Sequence, residues 1–178
     1  MIMGTETRHK VFISYHHKND SYYKERFEEL FGEVFILKSV NDGDIDSDNS
    51  DEYIKRLIQK DYLSDTSVLI VLVGSATKCR KHVDWEISAA LNKKVNGYSG
   101  LLALCIPDNP DYPGPHYNSN NIPQRLADNL NTGYAKYYDW TESESTIKKW
   151  VEIAFNARIN NKDLIDNSRL QMKDDECE

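Results

Sequence analysis

Two unbroken apolar runs, SVLIVLV at 67–73 and LLALCI at 101–106, constrain the fold of this chain more than any other feature. A strand with one face in water alternates apolar and polar residues, whereas a run without alternation is typical of a strand buried on both faces. Strands of that kind form the middle of a parallel sheet that is covered by helices on both sides. The two runs therefore predict an α/β domain built on a central parallel sheet.

The rest of the chain supplies three more strands and the helices between them. The run VFISY at 11–15 predicts the first strand, VFIL at 34–37 the second, and YAKYY at 134–138 the last. Apolar residues at helical spacing fill most of the intervals. From this alternation we expect a flavodoxin-like, five-stranded parallel sheet flanked by helices on both faces. In the flavodoxin-like strand order, a ligand crevice forms at the carboxyl ends of the first and third strands.

The length and composition indicate a single folded domain. A chain of 178 residues with 39% hydrophobic and 29% charged residues can bury one sizeable core. We expect residues 10–161 to form this domain, with a flexible N-terminus at 1–9 and a disordered tail at 162–178. No apolar run approaches the roughly 20 residues that cross a bilayer. We therefore expect a cytoplasmic protein that does not bind a membrane.

The charge and the cysteines argue against several classes of function. A formal net charge of -7 disfavours binding to a nucleic-acid backbone, which usually needs a basic face. The chain has three cysteines, namely Cys79, Cys105 and Cys177. Their wide, irregular spacing fits neither a disulfide framework nor a zinc ribbon, so we expect reduced thiols. The adjacent His16 and His17 point apart on a loop and belong to no paired ligand motif, so we expect no metal site.

The segments at the crevice lack the signatures of the common nucleotide-binding folds. The first turn, YHHKND at 15–20, contains no glycine, which excludes a Rossmann fingerprint and a P-loop there. The third strand ends in Gly74 and Ser75, where a phosphoacceptor receiver would have an aspartate. Glu86 lies about two turns into the next helix and near the crevice. It is either a functional acid or, like most helical glutamates, a solvated one.

Three sequence segments, taken in order, resemble the TIR-like domains of bacteria. They are KVFISYHHKND, the Asp- and Ser-rich loop that follows, and SVLIVLVGSATKCRKHVDWEI. The resemblance is strongest to the subgroup found in Thoeris anti-phage defence systems. It runs from about residue 10 to 106 and is weaker beyond. It implies a TIR-like fold, NAD as substrate rather than as a bound cofactor, and self-association through TIR-type contacts.

The resemblance also implies roles for particular residues. Glu86 matches the glutamate with which the family cleaves NAD, and the loop at 38–48 matches its so-called BB loop. The residues expected to bind the substrate are Phe12, Ser14, Tyr15, His16, Asp44, Gly74, Ser75 and His82. One position departs from the family. Many members have tryptophan one helical turn before the glutamate, where this chain has His82.

A carboxylate suits the reaction that the resemblance implies. Cleavage between nicotinamide and ribose passes through an oxocarbenium-like state, whose charge a carboxylate stabilises without a metal. We therefore predict an NAD glycohydrolase or ADP-ribosyl cyclase that depletes NAD, or makes a nucleotide signal for a downstream effector, in anti-phage defence. One alternative is a non-catalytic TIR-type signalling or assembly module. Another is a nucleoside deoxyribosyltransferase-like hydrolase.

Overall fold

The computed structural model describes residues 7–40 and 49–177, which form a five-stranded sheet with every strand parallel to its neighbours. The strands are β1 (Lys10–Ser14), β2 (Ile36–Lys38), β3 (Val68–Val73), β4 (Gly100–Cys105) and β5 (Lys136–Asp139). Their order is β2-β1-β3-β4-β5, so the winding direction reverses between β1 and β3. This confirms the flavodoxin-like α/β fold predicted from the sequence.

Five α-helices connect the strands or follow them. They are α1 (His17–Phe31), α2 (Asp51–Leu57), α3 (Lys81–Ala90), α4 (Gln124–Thr132) and α5 (Glu144–Asn160). A π-helical turn, Ile58–Tyr62, continues α2 directly. Within the described ranges, none of the helices has the length and apolar character needed to traverse a bilayer.

Two hydrophobic cores, one on each face of the sheet, hold these layers together. The residues of β3 point alternately into the two cores, and all of them are buried. One core joins the sheet to α1 and α5, for example through Phe27 and Val151. The other joins it to α2, α3 and α4, for example through Ile54, Trp85 and Leu126. Burial on both faces explains why β3 and β4 read as continuous apolar runs.

The segment after α5 differs from the disordered tail that the sequence predicts. Residues 166–177, which we call the C-terminal strap, lie along α3 and α4. The amide of Met172 donates to Asp84 Oδ2 at 2.8 Å, and Trp85 Nε1 donates to the carbonyl of Met172 at 2.8 Å. The strap has few apolar residues, and it is fixed mainly by hydrogen bonds to side chains of the helices. A hydrophobic pattern cannot reveal that kind of docking.

The expectation of three reduced thiols is wrong for two of them. Cys79 and Cys177 form a disulfide whose Cα atoms are 5.6 Å apart, although 98 positions separate them in sequence. Cys105 is a free, buried thiol. The pairing depends on the strap returning to α3, and residue spacing alone does not encode that return.

Candidate active site

The end of β1 and the middle of α3 meet at one buried pair of side chains. Ser14, the last residue of β1, donates its hydroxyl to Glu86 Oε1 at 3.2 Å. Ser14 is fully buried, and Glu86 is 2% exposed. Burial raises the pKa of Glu86 from near 4.5 to about 8, and the hydrogen bond from Ser14 acts in the opposite direction. The Glu86 carboxyl is therefore mostly protonated at neutral pH in this conformation.

Glu86 points into the protein and not into solvent. One surface groove, of about 660 Å³, is lined by residues that precede β1 and β2 and by α5, including Arg8, His9 and Glu152. It lies at the opposite end of β1 from Ser14. Because Glu86 is 2% exposed, a substrate can contact its carboxyl only after a neighbouring side chain or segment has moved.

His82 lies one helical turn before Glu86, on the same face of α3. Both of its ring nitrogens are buried and have no hydrogen-bond partner among the described residues. The ring packs edge-on against Trp85 with 5.2 Å between centroids. Burial, and then the charge of Arg80, lowers the pKa of His82 to about 4. The ring is thus neutral at neutral pH, with one nitrogen able to donate and the other to accept.

The two residues after Ser14 shape the turn into α1. His16 caps this helix, because its Nδ1 accepts a hydrogen bond from the amide of Asn19 at 3.2 Å. Burial lowers the pKa of His16, and the charge of Arg80 lowers it further. Tyr15 is buried next to the end of β1. α1 consequently begins at His17, earlier than its apolar spacing suggests.

The remaining residues predicted to bind substrate occupy different surroundings. Phe12 is 0% exposed in the core beneath α2 and α3. Gly74 is buried at the end of β3, whereas Ser75 is exposed and donates to Asp108 Oδ2 at 3.3 Å. Asp44, with most of the predicted BB loop, lies outside the described residues. The structure thus joins Ser14 to Glu86, while Gly74 and Ser75 face a second acidic cluster.

That second cluster is centred on Asp20, which the sequence analysis does not single out. Asp20 is 1% exposed on α1, and Thr77 Oγ1 donates to its Oδ2 at 3.5 Å. A Cβ atom added at Gly74 would lie 2.5 Å from the same oxygen. Burial, and next the negative charge of Asp108, raises the pKa of Asp20 to about 7. The sequence does contain one indication that Asp20 is buried, because Asp20 lies two turns before Phe27 on the buried stripe of α1.

No group of three His, Cys, Asp or Glu side chains is arranged to hold a metal ion within residues 7–40 and 49–177. The Ser14 hydroxyl bonds to Glu86, the His82 imidazole lies one helical turn earlier on α3, and the His16 imidazole lies at the turn after β1. This set offers a carboxyl, a hydroxyl and neutral ring nitrogens. Such groups can form hydrogen bonds with the hydroxyls and amides of a polar ligand.

The comparison with protein families adds an independent finding. The model of the TIR-like domain of the Thoeris protein ThsB matches residues 12–111, more than half of the chain. The matched range contains Ser14, His82 and Glu86, and it ends before β5, α5 and the strap. No curated protein matches the chain.

Proposed function

The chain belongs to the family of TIR-like domains of the Thoeris protein ThsB, and on this basis we propose that it cleaves NAD in anti-phage defence. The bond between nicotinamide and ribose breaks, and nicotinamide leaves with the electron pair. Water, or a hydroxyl of the same molecule, then bonds to the ribosyl carbon and loses a proton. The product is ADP-ribose or a cyclic isomer, and the isomer can act as a signal to a downstream effector.

The buried Ser14–Glu86 pair is the observation that carries this proposal. The nicotinamide ring of NAD is cationic, and positive charge develops on the ribose as the bond breaks. A positive charge beside Glu86 favours the ionised carboxylate, so substrate binding lowers the pKa that burial has raised. Charge interactions are strong away from water, and the ionised carboxylate stabilises the transition state more than the ground state.

The neighbours of Glu86 complete the proposed site. Ser14 holds one carboxylate oxygen and thereby fixes its direction. His82 offers two ring nitrogens without partners among the described residues, which suits a ribose hydroxyl or the carboxamide of nicotinamide. Tyr15 and His16 lie at the same end of β1, whereas Gly74 and Ser75, at the end of β3, face the carboxylates of Asp20 and Asp108. Closure of TIR-type contacts between copies of the chain assembles the site around the substrate.

Nicotinamide release tests the proposal directly. Glu86→Gln keeps the shape of the side chain but cannot ionise, and we expect it to lower nicotinamide release from NAD by roughly 100-fold or more. Glu25→Gln is the matched control, because Glu25 is exposed on α1. Chromatography measures the product, and circular dichroism checks the fold. Equal release by Glu86→Gln and the native protein contradicts the proposal.

A second candidate function is a non-catalytic assembly module. It is favoured by the closed surroundings of Glu86, which is 2% exposed. Such a module forms oligomers, measured by light scattering, and releases no nicotinamide at any protein concentration. Release that increases with oligomer formation favours the enzyme instead.

A further inference from the structure

The end of the C-terminal strap lies across the first turn of α3, the helix that carries Glu86. Asp175 Oδ1 accepts a hydrogen bond from the amide of Lys81 at 2.9 Å, and its Oδ2 pairs with Arg80 Nη1 at 2.9 Å. The amide of Glu176 donates to the carbonyl of Cys79 at 2.8 Å, next to the disulfide. These contacts hold a carboxylate of the strap against the start of α3.

The same strap flanks the imidazoles of the proposed nucleotide site. His82 packs against Trp85, and Trp85 Nε1 donates to the carbonyl of Met172. The charge of Asp175 also acts on the pKa of both His82 and His16, so this carboxylate lies within electrostatic range of both rings. A nucleotide that reaches His82 from this side therefore meets the strap.

The first half of the strap has a buried anchor. Arg125 is 1% exposed and bonds both Asp84 Oδ1 at 2.8 Å and the carbonyl of Arg169 at 2.7 Å. Asp84 in turn accepts the amide of Met172. Separating a buried, hydrogen-bonded ion pair is costly because it leaves a buried charge without its partner. This part of the strap therefore stays docked.

The second half, residues 173–177, depends on weaker contacts and on the disulfide. The side chains of Arg80 and Asp175 are each 30% exposed, and ion pairs near the surface contribute little. The disulfide ties Cys177, at the end of this half, covalently to Cys79 just before α3. The disulfide is therefore the dominant restraint on this half.

We propose that the Cys79–Cys177 disulfide is a redox latch that keeps residues 173–177 beside the nucleotide site and limits the approach of NAD. This inference rests on the proposed function. While the latch is closed, Asp175 neutralises Arg80, a cation that could otherwise attract the phosphates of NAD. When the latch opens, Arg80 is released and the side of α3 at His82 becomes accessible.

A dithiol reductant of the thioredoxin class opens the latch. Its thiolate attacks the sulfur of Cys177, which is exposed, whereas Cys79 is buried. The sulfur–sulfur bond breaks, and Cys79 leaves as a thiolate that takes up a proton. The second thiol of the reductant then displaces Cys177 from the mixed disulfide. The two cysteines are reduced, and the reductant is oxidised to its own disulfide.

Amide hydrogen exchange tests the latch without relying on enzymatic activity. The amide of Lys81 is bonded to Asp175, and that of Met172 to the buried Asp84. On addition of dithiothreitol we expect exchange at Lys81 to accelerate at least tenfold, with Met172 unchanged. Cys177→Ser exchanges like the reduced protein in both conditions. Equal exchange at Lys81 in the oxidised and reduced protein overturns the latch.

Kinetics with NAD test what the latch controls. We expect reduction to lower KM at least fivefold with little change in kcat, and Asp175→Asn to lower KM in the oxidised protein. Asp174→Asn removes the same charge from an exposed neighbour and leaves KM unchanged. If reduction accelerates exchange at Lys81 but does not change KM, the latch opens without controlling the access of NAD, and that part of the proposal is overturned. Absence of turnover in both redox states contradicts the proposed function. Hydrogen exchange at Lys81 then still shows whether the disulfide holds residues 173–177 in place.

Discussion

The hydroxyl of Ser14 lies 3.2 Å from Oε1 of Glu86 and so links the carboxyl end of β1 to the middle of α3. This contact brings together residues that are far apart in the chain. Because the pair is buried, the ionisation of Glu86 affects the stability of the fold as well as the proposed reaction.

The rate of NAD cleavage should depend on pH through Glu86. The profile of kcat/KM reports the free enzyme, in which the pKa of Glu86 is about 8. We expect kcat/KM to rise with pH up to about 8 and then to level off, since the carboxylate is the active form. Ser14→Ala removes a hydrogen bond that lowers this pKa, so its profile should shift upward by about one pH unit. Ser145→Ala, at an exposed serine of α5, should keep the native profile.

The stability of the protein should fall as the pH rises from 4.5 to 8. An unfolded glutamate ionises near pH 4.5, whereas Glu86 in the folded protein ionises near 8. Between these values the unfolded state binds fewer protons, so the free energy of unfolding falls by about 1.4 kcal/mol per pH unit from this group. Urea unfolding across the range measures the slope. Glu86→Gln should lose this contribution, and Glu25→Gln should retain it.

The pKa of Asp20 should respond to its two polar neighbours in opposite directions. Asp108→Asn removes a nearby negative charge and should lower the pKa of Asp20 from about 7, although burial keeps it above 3.8. Thr77→Val removes a hydrogen bond to the carboxylate and should raise it. Carbon-detected NMR titration of the Asp20 carboxyl measures both shifts. A pKa that is the same in both variants contradicts the described arrangement.

The buried pair of Asp84 and Arg125 should be costly to break. Asp84→Ala leaves the guanidinium of Arg125 buried without its carboxylate, and we expect a loss of about 3 kcal/mol or more in the free energy of unfolding. Asp128→Ala removes the exposed pair with Arg169 and should cost less than about 1 kcal/mol. Urea denaturation compares the two variants. Equal losses in the free energy of unfolding would show that the buried pair stabilises the fold no more than the exposed pair does.

Most of the fold can be predicted from the sequence because it depends on local patterns. The apolar runs at β3 and β4 reflect burial on both faces, and helical spacing reveals the helices between the strands. The parallel order then brings the ends of β1 and β3 together. These steps place Glu86 near the crevice, but its burial and its hydrogen bond to Ser14 depend on contacts between distant segments.

The features that the sequence does not reveal depend on contacts between distant segments. The strap is docked by hydrogen bonds to Asp84 and Trp85, which leave no periodic trace in residues 166–177. The disulfide follows from that docking. The burial of Asp20 beside Asp108 requires the loop after β4 to pass over the end of β3. The docking of the strap, the disulfide and the burial of Asp20 beside Asp108 leave the hydrophobic pattern of their own segments unchanged, so that pattern cannot predict them.

The groove of about 660 Å³ beside Arg8, His9 and Glu152 has a practical consequence for ligand discovery. Small ligands bind preferentially in concave surfaces, so a compound selected for binding alone can occupy this groove. Such compounds lie at the far end of β1 from Glu86 and leave the carboxyl unobstructed. Inhibitor searches directed at the proposed NAD reaction should therefore rank compounds by competition with NAD and not by affinity.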